Sequence, residues 1–255
     1  MLSLPLQLLI LFFVGFLAGF VNILAAGGSL LTLPTLIFLG LPAAVANGTN
    51  RIAILIQNVA AIAGFKKLNV FSWRVSVLAA LPAIAGAIIG ANLAVDIDEV
   101  LFKRLLAGIM VGVLVLILYD PSKRLRAHAG PMTPLRQIVF GIGFFFIGIF
   151  GGFIQAGVGF FIIILMLLDG FDLVVTNAVK VLVVFIFTIA ALAVFILHDQ
   201  VNYLLGVALG IGSAFGGWLG THVAVKKGHE WVRAFVSVVV VLFALQLLAE
   251  SFFGR

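Results

Sequence analysis

From Met1 to Asn50 the chain carries no Asp, Glu, Lys, Arg or His, and residues 52 to 65 carry none either. A charge-free stretch of that length has no way to face water on all sides. Further uncharged runs cover 75–95, 137–168, 181–197 and 200–221, most of them near or above the roughly 20 residues that a membrane-crossing helix needs. Charged residues make up 9% of the chain and hydrophobic residues 64%, where a soluble domain is about a quarter charged. These features predict an all-α polytopic membrane protein whose main partner is the lipid bilayer.

Several chemistries are excluded or disfavoured at once. With no cysteine, thiol catalysis, disulfides and thiolate metal sites are out of reach. The net charge of +6 sits in short loops between apolar runs, a pattern that speaks for topology signals and lipid contacts and against nucleic acid. His128, His198 and His229 fall in predicted loops and His222 near a helix end, without ligand spacing to one another. No Ser/His or paired-carboxylate set stands out, so neither an enzyme nor a cofactor or metal is expected. The N-terminus has no basic leader region, and residues 6–24 read as a retained first helix.

Charged and Pro/Gly-rich breaks divide the chain into about eight transmembrane units, at 6–39, 43–64, 74–95, 100–119, 136–168, 173–197, 201–224 and 231–249. The first and fifth are interrupted. The polar linker DPSKRLRAHAGPMTP near the middle separates residues 1–119 from 136–255, with 120–135 between them. Simple alternation of these units puts eight Lys and Arg on the side of the termini and five on the other. That balance predicts a multi-pass inner-membrane protein with cytoplasmic termini.

The halves match at a fixed offset. Gly40 pairs with Gly170, Asn47 with Asn177, Gly86 with Gly216, Gly90 with Gly220 and Lys103 with Arg233, each 130 apart, while GFLAGF and GIFGGF match at 133. Two homologous four-helix repeats are expected, each opening with an interrupted helix. An even number of full crossings per repeat would make them parallel. They can be inverted only if the interrupted segments 25–39 and 155–168 add a re-entrant pass. Gly86 with Gly90, and Gly212, Gly216 and Gly220, form rows of small residues that let helices approach closely.

The interruptions are the chemical signal. Gly27, Gly28 and Pro34 break the first unit beside Asn22, and Gly157 and Gly159 break the fifth beside Gln155. Backbone freed inside a membrane needs partners in protein or in a water-filled cavity, and helix starts within such a cavity offer N–H donors to an anion. Asn47, Arg51 and Asn58 share one helical face, as do Asn177, Lys180 and Thr188. Each stripe carries one cation, which a side chain merely reaching for the interface would not require. All nine Asp and Glu lie at or near segment ends. The intramembrane charges are thus positive, and a pocket lined this way selects anions.

The stretch GFLAGFVNILAAGGSLLTLPTLIFLGLPAAVANGTNRIAIL resembles the first-repeat signature of the TauE/SafE sulfite exporter family, and GGFIQAGVGF with TNAVKVL resembles its second repeat. The resemblance implies export of a small sulfur-containing oxyanion, sulfite or an organosulfonate such as sulfoacetate. Carried onto this chain, it implies a substrate site at Asn22, Gly27, Gly28, Asn47, Thr49, Asn50, Arg51, Gln155, Gly157, Gly159, Asn177 and Lys180. The second repeat lacks the proline and has Ala178 and Val179 opposite Gly48 and Thr49, so the half-sites are expected to be unequal. Uptake of the same anions, and a non-transporting scaffold or assembly factor, are the alternative readings. Coupling to a proton, or none, stays open, as does assembly into a homo-oligomer.

Overall fold

The computed structural model describes residues 2–25, 27–67, 70–119, 133–224 and 241–246. Among them it has no strand, and its bounded helices are α1 (Leu4–Ala25), α2 (Ser29–Phe38), α3 (Ala43–Lys67), α4 (Trp73–Val95), α5 (Glu99–Tyr119), α6 (Pro134–Ile154), α7 (Val158–Leu168), α8 (Leu173–Leu197) and α9 (Tyr203–Ala224). Residues 241–246 are also helical. The rest of the expected last unit, and residues 120–132 of the linker, lie outside the described residues. Five helices are long and apolar enough to cross a membrane: α1, α4, α6, α8 and α9. The polar stripe of α3 lowers its hydropathy, although its 25 residues exceed the length that a crossing needs. Large apolar side chains such as Leu81, Leu93, Ile138, Phe146 and Trp218 face outward, as a lipid-bathed surface allows.

Both interruptions are reversals of direction. Leu165 packs on Gly143, the rings of Phe161 and Phe150 lie 5.0 Å apart, and Asp169 pairs with Arg136 at 2.9 Å. α7 therefore runs back along α6. The turn between them uses positive φ at Gln155 (20°) and Gly157 (81°), and the second of these is a conformation that glycine adopts without strain. In the first half, Gly28 caps α2 and lies against Ala18 and Asn22 of α1. Both short helices stop in the same way. Gly40 (φ 96°) and Gly170 (φ 85°) follow them, and the next N–H, of Leu41 or Phe171, donates back to Leu36 O or Met166 O. This is the six-to-one bond of a glycine-terminated helix.

These fold-backs decide where each helix starts. α3 lies parallel to α9, with Gly206 beside Thr49 and Ile52, Gly210 beside Ala53 and Ile56, and Gly64 beside Thr221. It lies antiparallel to α8, since Gly48 meets Phe195 while Phe65 clusters with Ala178 and Val181. Thus α1, α3, α5 and α9 begin at one face, here the starting face. α4, α6 and α8 begin at the opposite face.

Two glycine-lined crossings hold the halves together. On α1 and α9, Gly15 and Gly19 meet the backbone at Leu209 and Ser213, while Gly212 and Gly216 meet it at Phe12 and Phe16. On α4 and α6, Gly86 and Gly90 meet Phe145 and Ile149, while Gly148 and Gly152 meet Ala83 and Ala87. A Cβ at any of these positions would collide with a backbone atom of the facing helix. The expected role of the small-residue rows is met, and each row is completed by glycines of the helix it faces.

Candidate functional site

Arg51 lies in the third turn of α3, fully buried, where a guanidinium needs acceptors for its N–H groups. It finds them at the C-terminal end of α6, in the other half of the chain. Nη1 donates to Gly151 O at 3.1 Å and to Gln155 Oε1 at 3.1 Å, and Nη2 donates to Gly152 O and, at 3.5 Å, to Asn47 Oδ1. The ring of Phe195 lies beneath it, with Cζ 4.6 Å from the centroid. Asn47 Nδ2 donates to Phe153 O at 2.7 Å. A helix that stops inside a membrane leaves its last carbonyls without partners and carries the negative end of its dipole there. Arg51 and Asn47 supply both partner and charge.

Lys180 does the converse from the second half. In the second turn of α8, it donates to Asn22 O of α1 at 3.0 Å and to Asn177 Oδ1 at 2.8 Å. Asn177 Nδ2 in turn donates to Leu173 O at 3.0 Å. Each half therefore supplies a cation to the interrupted helix of the other. The two caps differ in depth: Arg51 is nearer the starting face and Lys180 nearer the opposite face.

Between the caps lies a cavity of about 20 Å³, room for a single water. Its polar wall is Asn22, Ser29, Asn58, Gln155 and Lys180, and its apolar wall is Ile54, Val158, Val181 and Val184, with Gly159 completing it. Ser29 opens α2 and Gly159 lies in the first turn of α7, so both short helices point their N-terminal ends into it. Neither Ser29 N–H nor Gly159 N–H has an acceptor among the described residues. Asn58 is buried, and its Nδ2 has no partner. Lys180 has used two of the three donors an ammonium carries. No carboxylate lines the cavity. An oxyanion of four heavy atoms needs more room than that one water.

The twelve residues singled out from the sequence fall into separate groups. Asn22, Gln155, Gly159 and Lys180 line the cavity. Asn47, Arg51 and Asn177 form or support the caps. Gly28 and Gly157 turn the chain before α2 and α7, and Gly27 is buried next to that first turn. Thr49 and Asn50 point elsewhere: Thr49 Oγ1 accepts from Asn202 N at 2.8 Å, and Asn50 Oδ1 accepts from Thr32 Oγ1 at 2.6 Å. Asn58 stands in the polar stripe without being assigned to the site, and Ser29 goes unnoticed. The offset of 130 that relates Ser29 to Gly159 could have flagged it.

The family model described as "Sulfite exporter TauE/SafE" matches residues 11–247. The chain belongs to the TauE/SafE family. It is 27% identical over 246 residues to a "Probable membrane transporter protein" of Haemophilus influenzae, covering 96% of this chain and 95% of the relative. It is 28% identical over 249 residues to "Probable membrane transporter protein YfcA" of Escherichia coli K12, covering 97% and 91%. No solved structure matches. The TauE/SafE match runs through both halves and both breaks, and it makes this chain a multi-pass membrane transporter.

Replacing Arg51 by Leu strands the carbonyls of Gly151 and Gly152, and bonds to a charged group are worth about 1.5–3 kcal/mol each. Arg51→Leu is therefore expected to lower unfolding free energy by about 3 kcal/mol or more, measured by denaturant titration in detergent. Lys180→Met, losing two acceptors, should cost less. The reverse order would contradict this account of the caps.

Proposed function

We propose that this TauE/SafE transporter exports a small sulfur oxyanion, sulfite or an organosulfonate such as sulfoacetate, across the inner membrane through the cavity between the two caps. The observation that carries the proposal is the composition of that wall. A lysine ammonium, an unpartnered amide and the first turns of two helices face one enclosed space with no carboxylate to oppose an anion. The family's description supplies the sulfur chemistry. Efflux of an anion from a cell with a negative interior is favoured by about 2.3 kcal/mol per charge per 100 mV, so voltage alone can drive the step.

The site residues taken from the sequence enter this reading with divided duties. Lys180, Asn22, Gln155 and Gly159 stand at the anion, while Arg51, Asn47 and Asn177 hold the helix ends that frame it. The two halves act as inverted repeats about the cavity. The support is the exchange of caps together with the fold-back of α2 and α7, which adds the extra pass that inversion requires.

The same parity supports an orientation opposite to the expected cytoplasmic termini. With α2 and α7 turning back, Lys66, Lys67, Arg74 and Arg136 stand at the opposite face. Lys103 and Arg104 stand at the starting face. Four against two among the described residues supports a cytoplasmic opposite face and an N-terminus outside.

In proteoliposomes under an imposed potential, labelled sulfite is expected to move above the empty-liposome rate. Excess chloride should compete poorly, and Lys180→Ala should lower the rate at least tenfold. No sulfite flux in the wild type would sink the substrate. Because the chain has no cysteine, orientation can be read from single replacements in intact cells. Ser3→Cys should react with a membrane-impermeant thiol reagent, and Ser72→Cys only after permeabilisation. The opposite pattern would restore cytoplasmic termini.

A further inference from the structure

The two buried cations are related by the exchange of caps, yet their surroundings differ in a way that symmetry does not explain. At the Arg51 end both terminal nitrogens of the guanidinium are engaged and only its Nε is left without a partner. Gln155 Oε1 accepts from Arg51, and Gln155 Nε2 donates to Thr188 Oγ1 at 2.7 Å. Thr188 stands 130 residues from Asn58, so the two occupy matching places on α8 and α3. The matching group at the other end is idle: Asn58 Nδ2 has no partner, and the Asn22 side chain makes no hydrogen bond among the described residues. Lys180 lines the cavity, whereas Arg51 does not. Arg51 has four acceptors and a ring beneath it, against two acceptors for Lys180.

A buried amide with no partner costs stability unless something else supplies the bond. A transported anion is such a supplier, present only part of the time. The geometry points to a division of labour: Lys180 and Asn58 are the anion's direct ligands at an entrance on the opposite face, and Arg51 is a positioning residue that seals the starting face. This deepens the exporter reading and rests on it for the identity of the anion. Under the orientation proposed above, the loosely tied end faces the cytoplasm, where an exported anion enters. The anion would take the third donor of Lys180 and the Asn58 amide as the Lys180–Asn22 contact loosens. The more heavily bonded cluster at Arg51 keeps the far side shut meanwhile.

The absence of native cysteine makes this testable without knowing the substrate. Val184 lines the cavity one turn from Lys180 and is not itself a ligand. Val184→Cys, in right-side-out and inverted membrane vesicles, would be treated with two impermeant methanethiosulfonate reagents, one bearing a sulfonate and one a trimethylammonium group. The sulfonate reagent is expected to react at least tenfold faster from the opposite face than from the starting face, and at least tenfold faster than the cationic reagent. Lys180→Gln should abolish the preference for the anionic reagent. Asn58→Leu should reduce it several-fold with the melting temperature unchanged or raised, because an idle amide has been removed. Arg51→Lys should keep the preference but raise labelling from the starting face several-fold, and Phe195→Leu should do the same should that variant not be recovered. Equal loss of preference in Arg51→Lys and Lys180→Gln, equal labelling from both faces in the wild type, or no labelling from either face would overturn the division. So would a drop in melting temperature in Asn58→Leu. Labelling as predicted with no sulfite flux would overturn the substrate and leave the division standing.

Discussion

A helix that stops inside a membrane exposes carbonyls that lipid cannot satisfy, and the rest of this structure is arranged around that constraint. α6 ends at Ile154 with Arg51 and Asn47 bonded to its last turn, and the carbonyl of Asn22 near the end of α1 is held by Lys180. Each cation comes from the other half of the chain. The bonds that make the breaks tolerable are therefore also the bonds that join the halves. That accounts for the isolated charge in the opening tract: Arg51 is kept because a broken helix 100 residues away requires it.

The crossings of α1 with α9 and of α4 with α6 have to be close for this exchange to work. Glycine on both sides of each contact brings backbone against backbone, and the first polar groups beyond the crossings can then reach across. Outside this frame the helices present apolar side chains to lipid. Inside it, the two short helices return toward the faces from which α1 and α6 began, and their N-terminal ends stay in the middle with the cavity. That cavity has room for a single water, and of the two caps Lys180, with two acceptors against four for Arg51, is the less firmly tied.

Much of this was legible in the sequence because it rests on composition and breaks. Uncharged runs marked the helices, and glycine and proline marked the interruptions. The direction of the chain after each break was not legible, since a glycine-rich interruption is equally compatible with a straight, broken crossing and with a reversal. The reversal in the first half changes the face of α3 to α6, and the reversal in the second half restores the face of α8 and α9, so loop charges counted by simple alternation are assigned differently once the fold-backs are known. The polar stripes were visible as helical faces, but spacing alone could not say which members meet the cavity. Arg51 and Asn47 turned to carbonyls of α6, while Asn58, one face-equivalent step further along α3, turned to open space. Thr49 and Asn50 were drawn off by Asn202 and Thr32, partners that no local pattern announces.

The most direct test of the central claim is a structure determined with selenite, a heavier analogue of sulfite whose selenium gives an anomalous signal. The account predicts one selenium peak in a widened cavity between Lys180 Nζ and the Asn58 amide, beside the first turns of α2 and α7, with the Arg51 contacts to Gly151, Gly152 and Gln155 intact. A peak bonded to Arg51 in place of those carbonyls, or an empty cavity in a preparation that transports the ion, would contradict it.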